Sequence, residues 1–477
     1  MIPLSLEQIA RILGGQLTDA GDGSAEVTAP PFIDTRHPEP GGLFVAIPGE
    51  HVDGHDFASA AVDAGAAAVL GARATGVPTV VVDDPVVAMG RLARHVLDQL
   101  DATVLALTGS QGKTGTKDFL AQLLAGDGAT IATSGNRNNE IGVPLTVLRA
   151  GPDTRFLAVE MGARGIGHIA ELCAVAPPHV AAVLNVGTAH IGEFGSRAAI
   201  AQAKGEIIEA LPADGTAVLN ADDALVAAMA DRTSARVLTF GVTGDVSWRD
   251  VELDDLGRPS FELGYGGAWS RVRLLESGEH QVPNAAAAAA MASAAGLGWD
   301  DILERLGRAR SLSPWRMALH ERADGLVVVN DAYNANPASM AAALDALAAI
   351  GRRGGRRTVA VLGEMLELGE SATEDHVAVG QHAAGLAIDV VVTVGDAADA
   401  IGDGARRTPG WSGTAVSTAG REQATDWLRH NVVARDVVLV KASRGAALEH
   451  LADAVLDDGV GGDLRAAEDQ EGGNPSR

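Results

Sequence analysis

The chain has 477 residues, of which 47% are hydrophobic, and this size and composition predict about three domains with sizeable cores. Its formal net charge of −25 argues against a general nucleic-acid-binding protein, which would need a basic surface. An anionic ligand must therefore be held by local cations and helix N-termini, because the field of the whole chain repels it.

Lysine is rare in this chain. Among its 37 Lys and Arg residues, four are lysines: Lys113, Lys117, Lys204 and Lys441. A lysine kept in such a chain can mark a place that arginine cannot fill, because an ammonium group is a compact charge whose pKa shifts readily. Lys113 lies in the loop described below and Lys117 one turn beyond it, which makes Lys204 and Lys441 candidates too. Codon bias is the alternative explanation.

The remaining global features concern the cellular compartment. The single cysteine, Cys173, excludes an internal disulfide and fits a reducing compartment, and its helical setting predicts a core role. The N-terminus has neither the basic start nor the unbroken apolar stretch of a signal peptide. No stretch of about 18 strongly apolar residues exists. We expect a cytoplasmic monomer without membrane insertion.

Residues 1–85 are predicted to form a small α/β domain. Ser5 and Gln8 match a capping box for a short helix that ends at Gly14. The predicted strands are Gly42–Ile47, Ala67–Leu70 and Thr79–Val82, with a helix at Ala58–Gly65. Polar loop residues that could hold a phosphate or a sugar are Asp34, Thr35, Arg36 and His55. An ordinary solvated loop is the alternative.

The central part, residues 86–315, begins with the features of a phosphate-binding loop. The apolar run Thr103–Leu107 predicts a strand, and residues 115–124 have apolar residues at helical spacing. The turn between them offers backbone N–H groups and a helix N-terminus to a polyphosphate. The residues of this loop, predicted to bind ATP, are Thr108, Gly109, Ser110, Gln111, Gly112, Lys113 and Thr114.

Two side chains of this loop have distinct predicted roles. Lys113 would reach the outer phosphates, and the Thr114 hydroxyl would ligate Mg²⁺. The loop is a shortened variant, because Leu107 stands where the general pattern has glycine. A chance Gly-Lys-Thr at a helix start is the alternative.

Further polar residues follow other predicted strands. The strand Phe156–Glu160 ends in a carboxylate, the arrangement of a second metal ligand opposite the loop hydroxyl. His190 follows the predicted strand Val180–Asn185, and a helical stretch carries Lys204. Strands that alternate with helices predict a parallel sheet with its sites at the carboxyl ends of the strands. A lone histidine at His190 would more often be structural.

The second half of the chain is predicted to contain another α/β domain. Residues 246–273 suggest a small antiparallel excursion, and an Ala-rich helix follows from Asn284. Residues 316–458 are predicted to form a doubly wound, Rossmann-like domain with polar residues at one sheet edge. Its predicted strands are Leu326–Asp331, Thr358–Leu362, Val390–Val394 and Asp436–Val440. Residues 459–477 are rich in glycine and acidic residues and are predicted to be disordered.

Taken together, these segments resemble the Mur ligase family over residues 1–455. The residues that carry the resemblance are Asp34-Thr-Arg36, Gly42-Leu-Phe-Val-Ala-Ile47, Asp53-Gly-His55, Thr108–Thr114, Asn138-Asn-Glu-Ile-Gly-Val-Pro144, Glu160-Met-Gly162, Asn185–His190, Ala203-Lys-Gly-Glu206, Ser313-Pro-Trp-Arg-Met317, Asp331-Ala-Tyr-Asn-Ala-Asn-Pro337, Gly363-Glu-Met-Leu-Glu-Leu-Gly369 and Lys441-Ala-Ser-Arg444. The adenine-side His-Asn pair of the family departs here, since Gln-Val-Pro separates His280 from Asn284.

The resemblance implies three domains that bind the UDP end of a substrate, ATP, and an incoming amine, with the third domain closing over the nucleotide. It implies ATP-dependent phosphorylation of the terminal carboxylate of a UDP-linked muramoyl tripeptide, followed by attack of D-alanyl-D-alanine on the acyl phosphate. The alternatives are addition of diaminopimelate or lysine to a dipeptide, or of glutamate to folate, by another member. A phosphate-loop protein that uses nucleotide as a conformational switch is an alternative from another class.

The resemblance also implies roles for individual residues. Lys113, Lys204 and His190 would be catalytic, with one Mg²⁺ on Thr114 and Glu160 and a second near His190. Lys204 corresponds to a lysine that is carbamylated in related ligases, and a plain cation near phosphate is the alternative. Residues predicted to bind ATP outside the loop are Asn284, Arg316, Asp331 and Asn334. Residues predicted to bind substrate are Asn138, Asn139, Lys441 and Arg444, the last two through a nucleotide phosphate or a dipeptide carboxylate.

Overall fold

The computed structural model describes residues 1–21, 23–49, 52–135, 137–187, 194–312, 315–366 and 368–457. The chain divides into two units, one of them made of Met1–Asp250, Phe261–Val272 and His280–Arg310 and the other of the remaining residues. A division into two units does not test the boundaries of the three domains predicted from the sequence, which stay predictions. The predicted disordered tail lies outside the described residues. Within the described ranges, no helix is long and apolar enough to cross a membrane.

The strands are numbered here in chain order. They are β1 Leu4–Ser5, β2 Gln16–Thr18, β3 Glu26–Val27, β4 Leu43–Val45, β5 Ala68–Gly71, β6 Thr79–Val81, β7 Thr103–Thr108, β8 Thr130–Ala132, β9 Phe156–Glu160, β10 Val180–Val183, β11 Thr216–Asn220, β12 Arg236–Phe240, β13 Ser247–Leu253, β14 Pro259–Tyr265, β15 Ala268–Arg273, β16 Ala318–Glu321, β17 Val327–Asp331, β18 Thr358–Leu362, β19 Val390–Val394, β20 Thr414–Thr418 and β21 Val437–Lys441.

Helices connect most of these strands. The α-helices are Leu6–Leu13, Ala58–Asp63, Pro85–Leu97, Lys113–Ala125, Gly142–Val147, His168–Val175, Arg197–Glu209, Ala224–Ala227, Gln281–Ala294, Trp299–Leu306, Pro337–Gly354, Ala372–Gly385, Asp399–Arg406 and Arg421–Asn431, and residues 449–457 are also helical. Short 3₁₀ helices lie at Gly54–Phe57, Ala228–Arg232, Gly369–Ser371, Asp396–Ala398 and Arg444–Ala446.

The N-terminal part of the larger unit contains a four-stranded sheet in the order β2-β6-β5-β4, in which β2 is antiparallel to β6. Its first helix begins at the predicted capping box, where Ser5 Oγ accepts a hydrogen bond from Gln8 N at 3.2 Å. The helix ends at Gly14, whose φ of 67° is the left-handed conformation that favours glycine. The predicted strands and helices of this region are therefore confirmed.

A parallel six-stranded sheet in the order β12-β11-β10-β7-β9-β8 forms the centre of the same unit. Strand β7 lies between β9 and β10, so the later strands of the sheet are added on both of its sides. The carboxyl end of such a strand is a topological switch point, where ligands bind in sheets of this kind. The pairs Leu107–Glu160 and Thr108–Val183 are in register. The carboxyl ends of these strands therefore bring together the loop after β7, Glu160 and the segment after β10.

The Ala-rich helix Gln281–Ala294 packs against the helix that follows the loop, Lys113–Ala125. Residues Ala285–Ala292, which are all alanines except Met291, are fully buried. Small side chains allow the two helices to approach closely: a Cβ at Gly115 would lie 3.0 Å from Asn284 Nδ2. The composition of this helix thus brings Asn284 to the loop.

Strands β13, β14 and β15 form the small sheet predicted between residues 246 and 273. The two-residue turn Gly266-Gly267, in which both φ angles are positive, connects β14 to β15. A turn this short can join antiparallel strands only, which agrees with the sequence expectation.

The smaller unit contains a six-stranded sheet in the order β16-β17-β21-β18-β19-β20, parallel except for β16. Neighbouring residues of β17 face opposite layers, with Val327 and Val329 in one hydrophobic core and Val328 in the other. A sheet with a core on each face is the predicted doubly wound arrangement. The register places Asp331 opposite Lys441 at one edge.

Candidate active site

The loop after β7 has the backbone of a phosphate cradle. Gly112 has a φ of 78° and stands immediately before the first helical residue, Lys113. A side chain at Gly112 would be strained by this conformation and would also collide with Asn284 Oδ1. Lys113 Nζ donates a hydrogen bond to Gly109 O at 2.8 Å, so the lysine lies across the loop. Asn284 therefore lies against the predicted phosphate-binding loop.

The Asn185 side chain accepts hydrogen bonds from backbone N–H groups of this loop, a role that the sequence did not reveal. Its Oδ1 accepts hydrogen bonds from Ser110 N at 3.0 Å and from Gln111 N at 2.9 Å. Its Nδ2 donates to Gln111 O at 3.1 Å. Ser110 Oγ accepts from Gly187 N at 2.9 Å, which ties the loop to the segment after β10 a second time. The position of Asn185 at the end of the predicted strand Val180–Asn185 was the available signal.

Glu160 is a buried carboxylate at the same sheet edge. Its side chain accepts hydrogen bonds from the Thr114 hydroxyl at 3.1 Å and from Asn138 Nδ2 at 2.8 Å. The residue is 2% exposed and forms no ion pair with any residue that the structure describes. A buried charge without a counter-charge is costly, so the pair of oxygens at Thr114 and Glu160 fits a hard cation such as Mg²⁺.

The described ranges contain no group of three or more His, Cys, Asp or Glu side chains that could hold a metal ion. His190, the predicted residue for a second metal ion, lies outside the described residues.

Lys204 lies on the helix Arg197–Glu209 and is 6% exposed. Burial, and to a smaller extent the positive charge of Lys113, lowers the pKa of its amine from 10.5 to about 7. Within the described part of the chain, no carboxylate pairs with this amine. A pKa of about 7 gives this amine a neutral fraction near neutral pH, and a neutral amine is the form that can take up CO₂.

Glu206, two residues after Lys204 on the same helix, has a structural role. Its carboxylate accepts hydrogen bonds from Gly167 N at 2.6 Å and Ala170 N at 3.1 Å, at the start of the helix His168–Val175. A carboxylate at a helix N-terminus satisfies unpaired N–H groups and opposes the helix dipole. Cys173, on that helix, is buried as expected, and burial raises the pKa of its thiol to about 12.

The predicted substrate residues of the N-terminal domain form two small networks. Arg36 binds Asp34 through two nitrogens, at 2.9 and 2.7 Å, and the Arg36 guanidinium holds the pKa of the Asp34 carboxyl at about 2. The Arg36 side chain is 84% exposed, so a phosphate from solution could compete with Asp34 for it. Thr35 lies between them and is half-buried.

His55, for which substrate contact stays a prediction, forms hydrogen bonds within the protein. Its Nδ1 lies 2.6 Å from Asp53 Oδ1, and its Nε2 accepts a hydrogen bond from Ala72 N at 2.7 Å. The side chain is 1% exposed. Both ring nitrogens are therefore occupied by the protein, and Nδ1 carries the proton, since Nε2 acts as an acceptor.

Asn138 and Asn139, for which substrate contacts stay predictions, also form hydrogen bonds within the protein. Asn138 holds the Glu160 carboxylate, as described above. Asn139 Oδ1 accepts a hydrogen bond from Gly142 N at 3.0 Å, at the start of the helix Gly142–Val147. Both amides thus position backbone or side-chain groups of the protein, which a sequence pattern cannot distinguish from ligand binding.

In the smaller unit, Lys441 is a buried lysine. Its Nζ donates to Asp331 Oδ2 at 2.5 Å and to Asn334 O at 2.9 Å, and the side chain is 2% exposed. The second oxygen of Asp331 accepts from Met317 N at 2.9 Å. This internal ion pair fixes the ends of β17 and β21, and the substrate contact of Lys441 stays a prediction.

Two arginines of this unit stack on aromatic rings. The Arg316 guanidinium lies 4.1 Å from the Tyr333 ring centroid, and that of Arg444 lies 4.0 Å from the Trp315 ring centroid. Arg444 also donates to Glu449 Oε1 at 3.0 Å. Stacking holds each guanidinium plane in one orientation, which suits recognition of a phosphate or carboxylate.

Three family models match the chain. The Mur ligase family, catalytic domain, matches residues 32–96, the Mur ligase middle domain matches residues 107–292, and the Mur ligase, glutamate ligase domain, matches residues 315–444. A UDP-N-acetylmuramoyl-tripeptide--D-alanyl-D-alanine ligase from Mycobacterium bovis is 44% identical over 510 residues, covering 98% of this chain and 100% of that protein. The protein of the same name from Escherichia coli is 36% identical over 469 residues, covering 96% and 100%.

Solved structures agree with these matches. A crystal structure of MurF from Acinetobacter baumannii is similar with a TM-score of 0.84 and 32% identity, covering 95% of this chain and 99% of that one. The MurF ligase from Thermotoga maritima, solved in complex with ADP, is similar with a TM-score of 0.74 and 30% identity, covering 91% and 98%.

The parallel sheet, its phosphate loop and the buried carboxylate define a nucleotide-dependent enzyme. The matches identify its kind more closely: the chain belongs to the Mur ligase family, with the three-domain architecture of that family. It is an ATP-dependent carbon–nitrogen ligase.

The lowered pKa of Lys204 predicts a pH-dependent stability that Lys204→Met should remove. Below pH 7 both folded and unfolded chains carry the proton, so the folded chain bears the full cost of a buried charge. Between pH 7 and 10 the folded chain has lost that proton while the unfolded chain keeps it, so the free energy of unfolding rises with pH. In CO₂-free buffer, Lys204→Met should melt higher than wild type at pH 6, on the order of 5 °C, and the difference should shrink at pH 9. A difference independent of pH would contradict the assignment.

The Lys441–Asp331 pair predicts an asymmetric response to mutation. Lys441→Met should destabilise the smaller unit by roughly 3–5 kcal/mol, because it leaves the Asp331 carboxylate without its counter-ion. Adding Asp331→Asn should recover a large part of that loss. Thermal unfolding of the two variants measures both effects, and a double variant no more stable than Lys441→Met would argue against a buried pair.

Proposed function

We propose that this enzyme joins D-alanyl-D-alanine to a UDP-N-acetylmuramoyl-tripeptide, with conversion of ATP to ADP and phosphate. The observation that carries the proposal is full-length similarity: proteins that bear this activity in their names align with nearly the whole chain, at up to 44% identity. Other members of the family act on other amines, and the similar structures from such enzymes have 20% identity or less to this chain.

The site supplies the electrostatics that such a reaction needs. A substrate carboxylate must approach the terminal phosphate of ATP, and both groups are anionic. Lys113 and the N-terminus of the helix Lys113–Ala125 place positive charge at the loop, which an acidic chain cannot provide by its overall field. Phosphoryl transfer requires positioning and charge neutralisation more than covalent work by the protein.

Mg²⁺ completes this arrangement in our proposal, with Thr114 and Glu160 as its protein ligands. When bound there, the ion would neutralise oxygens of the nucleotide phosphates. Asn138 holds the Glu160 carboxylate from the other side, and this hydrogen bond fixes which oxygen faces the Thr114 hydroxyl. Asn185 holds the loop N–H groups that would otherwise be free to bind phosphate, so nucleotide binding includes an exchange of those hydrogen bonds.

Lys204 has the properties of an amine that can be carbamylated. Attack of its neutral nitrogen on CO₂ forms an N–C bond and releases one proton, which converts a neutral group into an anion. The pKa of about 7 makes the neutral amine available near neutral pH. The carbamate would be an oxygen ligand for a cation, whereas protonated Lys204 would be a second positive charge beside Lys113.

Several assignments remain part of the proposal. We assign UDP-substrate binding to residues 1–85, ATP binding to residues 86–315 and amine binding to residues 316–458. Arg316, Asp331 and Asn334 are candidates for nucleotide contacts, and Arg444 is a candidate for the carboxylate of the incoming dipeptide. The protein is proposed to act as a monomer in the cytoplasm.

Phosphate release should require every component of the reaction. We expect release from ATP only when UDP-muramoyl-tripeptide, D-alanyl-D-alanine and Mg²⁺ are all present, with formation of a UDP-linked pentapeptide detectable by mass. EDTA should abolish release, and excess Mg²⁺ should restore it. Substitution of diaminopimelate or glutamate for the dipeptide should give no product. Release that needs a different amine would reassign the step within the family, and slow ATP hydrolysis indifferent to all amines would favour the nucleotide switch.

A further inference from the structure

Lys117 is a buried lysine that the chemistry described so far does not use. It lies on the helix Lys113–Ala125, three residues after Thr114, and is 3% exposed. The helix packs on strands β8 and β9, the second of which ends at Glu160. Lys117 is therefore buried between the two elements that carry the proposed metal ligands.

The contacts of Lys117 lead to Glu160 through a single residue. Lys117 Nζ donates a hydrogen bond to Thr133 O at 3.0 Å. The hydroxyl of Thr133, which is 1% exposed, accepts a hydrogen bond from Glu160 N at 3.0 Å. Thr133 N donates to Ala158 O at 3.0 Å, so Thr133 continues the pairing of β8 with β9. Lys117 thereby connects the helix that carries Thr114 to the backbone that carries Glu160.

We propose that Lys117 is a positioning residue for the metal site. It holds Thr133, and through Thr133 it keeps the Glu160 carboxylate at hydrogen-bonding distance from the Thr114 hydroxyl. The inference rests on the proposed function, because it assumes that Thr114 and Glu160 bind Mg²⁺. One helix then supplies both the hydroxyl ligand and the ammonium that fixes the opposite ligand. The spacing of three residues places Thr114 and Lys117 on the same face of the helix.

Stability alone does not account for a lysine at this place. Its ammonium lies 2.6 Å from Asp118 Oδ1, and both side chains are almost fully buried, at 4% and 5% exposed. Replacing a buried ion pair by apolar residues of similar volume is often neutral or stabilising. A hydrogen bond to a backbone carbonyl has direction, however, and an apolar side chain could not hold Thr133 in this way. Residues that orient metal ligands typically change metal affinity by 10–100-fold when they are removed.

Binding of ADP to the full-length protein, measured by calorimetry with Mg²⁺ and again with EDTA, tests this role. For Lys117→Met, we expect the ADP affinity in Mg²⁺ to fall about tenfold, while the affinity in EDTA changes less than about twofold. Lys117→Arg, which keeps a donor, should recover part of the loss. Thr116→Val is the matched control on the same helix, because the buried Thr116 hydroxyl has no hydrogen-bond partner within the described chain. It should leave both affinities unchanged.

A second variant cuts the same connection from the other end. Thr133→Val removes the hydrogen bond to Glu160 N and should reproduce the selective loss in Mg²⁺, even if Lys117→Met folds poorly. In a Glu160→Gln background, Lys117→Met should cause no further loss of Mg²⁺ dependence, because the ligand it positions is gone.

The outcomes separate the inference from the function on which it rests. If ADP affinity in the wild type does not depend on Mg²⁺, the proposed metal site fails, and the role of Lys117 fails with it. If the wild type depends on Mg²⁺ and both variants keep that dependence, only the positioning role is overturned. Equal losses in Mg²⁺ and EDTA would show a general structural role and would also overturn it.

Discussion

The buried carboxylate of Glu160 is the constraint on which the rest of the site depends. A charge that is 2% exposed needs a counter-charge, and no described residue supplies one. The protein instead surrounds it with neutral donors from Thr114 and Asn138. This arrangement orients the carboxylate oxygens, as binding of a divalent cation requires. The parallel sheet brings the three residues together because the strand that ends at Glu160 pairs with the strand that precedes the loop.

Lysine usage follows the same electrostatic logic. Each of the four lysines in this acidic chain lies in or directly behind a group of polar residues, and none serves as an ordinary surface cation. Lys117 and Lys441 are buried against aspartates, where they connect a backbone carbonyl to a carboxylate. Lys204 is buried and forms no ion pair with a carboxylate of the described residues, and burial lowers the pKa of its amine. Lys113 lies across the loop itself. An ammonium group is a compact charge whose pKa shifts readily, in contrast to a guanidinium, which stays charged.

The sequence predicted the interior of the fold better than its margins. Interior strands such as β7, β9 and β18 are apolar on both faces, and their bounds matched the expectation within one residue. Strands that the sequence did not reveal include four that lie at the edges of the two six-stranded sheets, β8, β12, β16 and β20. Edge strands are half exposed, so short or polar runs such as Thr130–Ala132 and Thr414–Thr418 give little signal. In the site, the loop motif and Asn284 could be found from pattern. The internal roles of His55, Asn139 and Lys441 could not, because their hydrogen-bond partners depend on how distant segments pack.

The central claim is that this site activates a substrate carboxylate by transferring phosphate to it. Oxygen transfer tests that claim most directly. UDP-muramoyl-tripeptide labelled with ¹⁸O in its terminal carboxylate would be converted with ATP and D-alanyl-D-alanine, and the released phosphate analysed by mass. An acyl phosphate predicts one labelled oxygen in each phosphate, since the carboxylate oxygen that bonds to phosphorus leaves with it. Unlabelled phosphate, released together with amide product, would contradict the account.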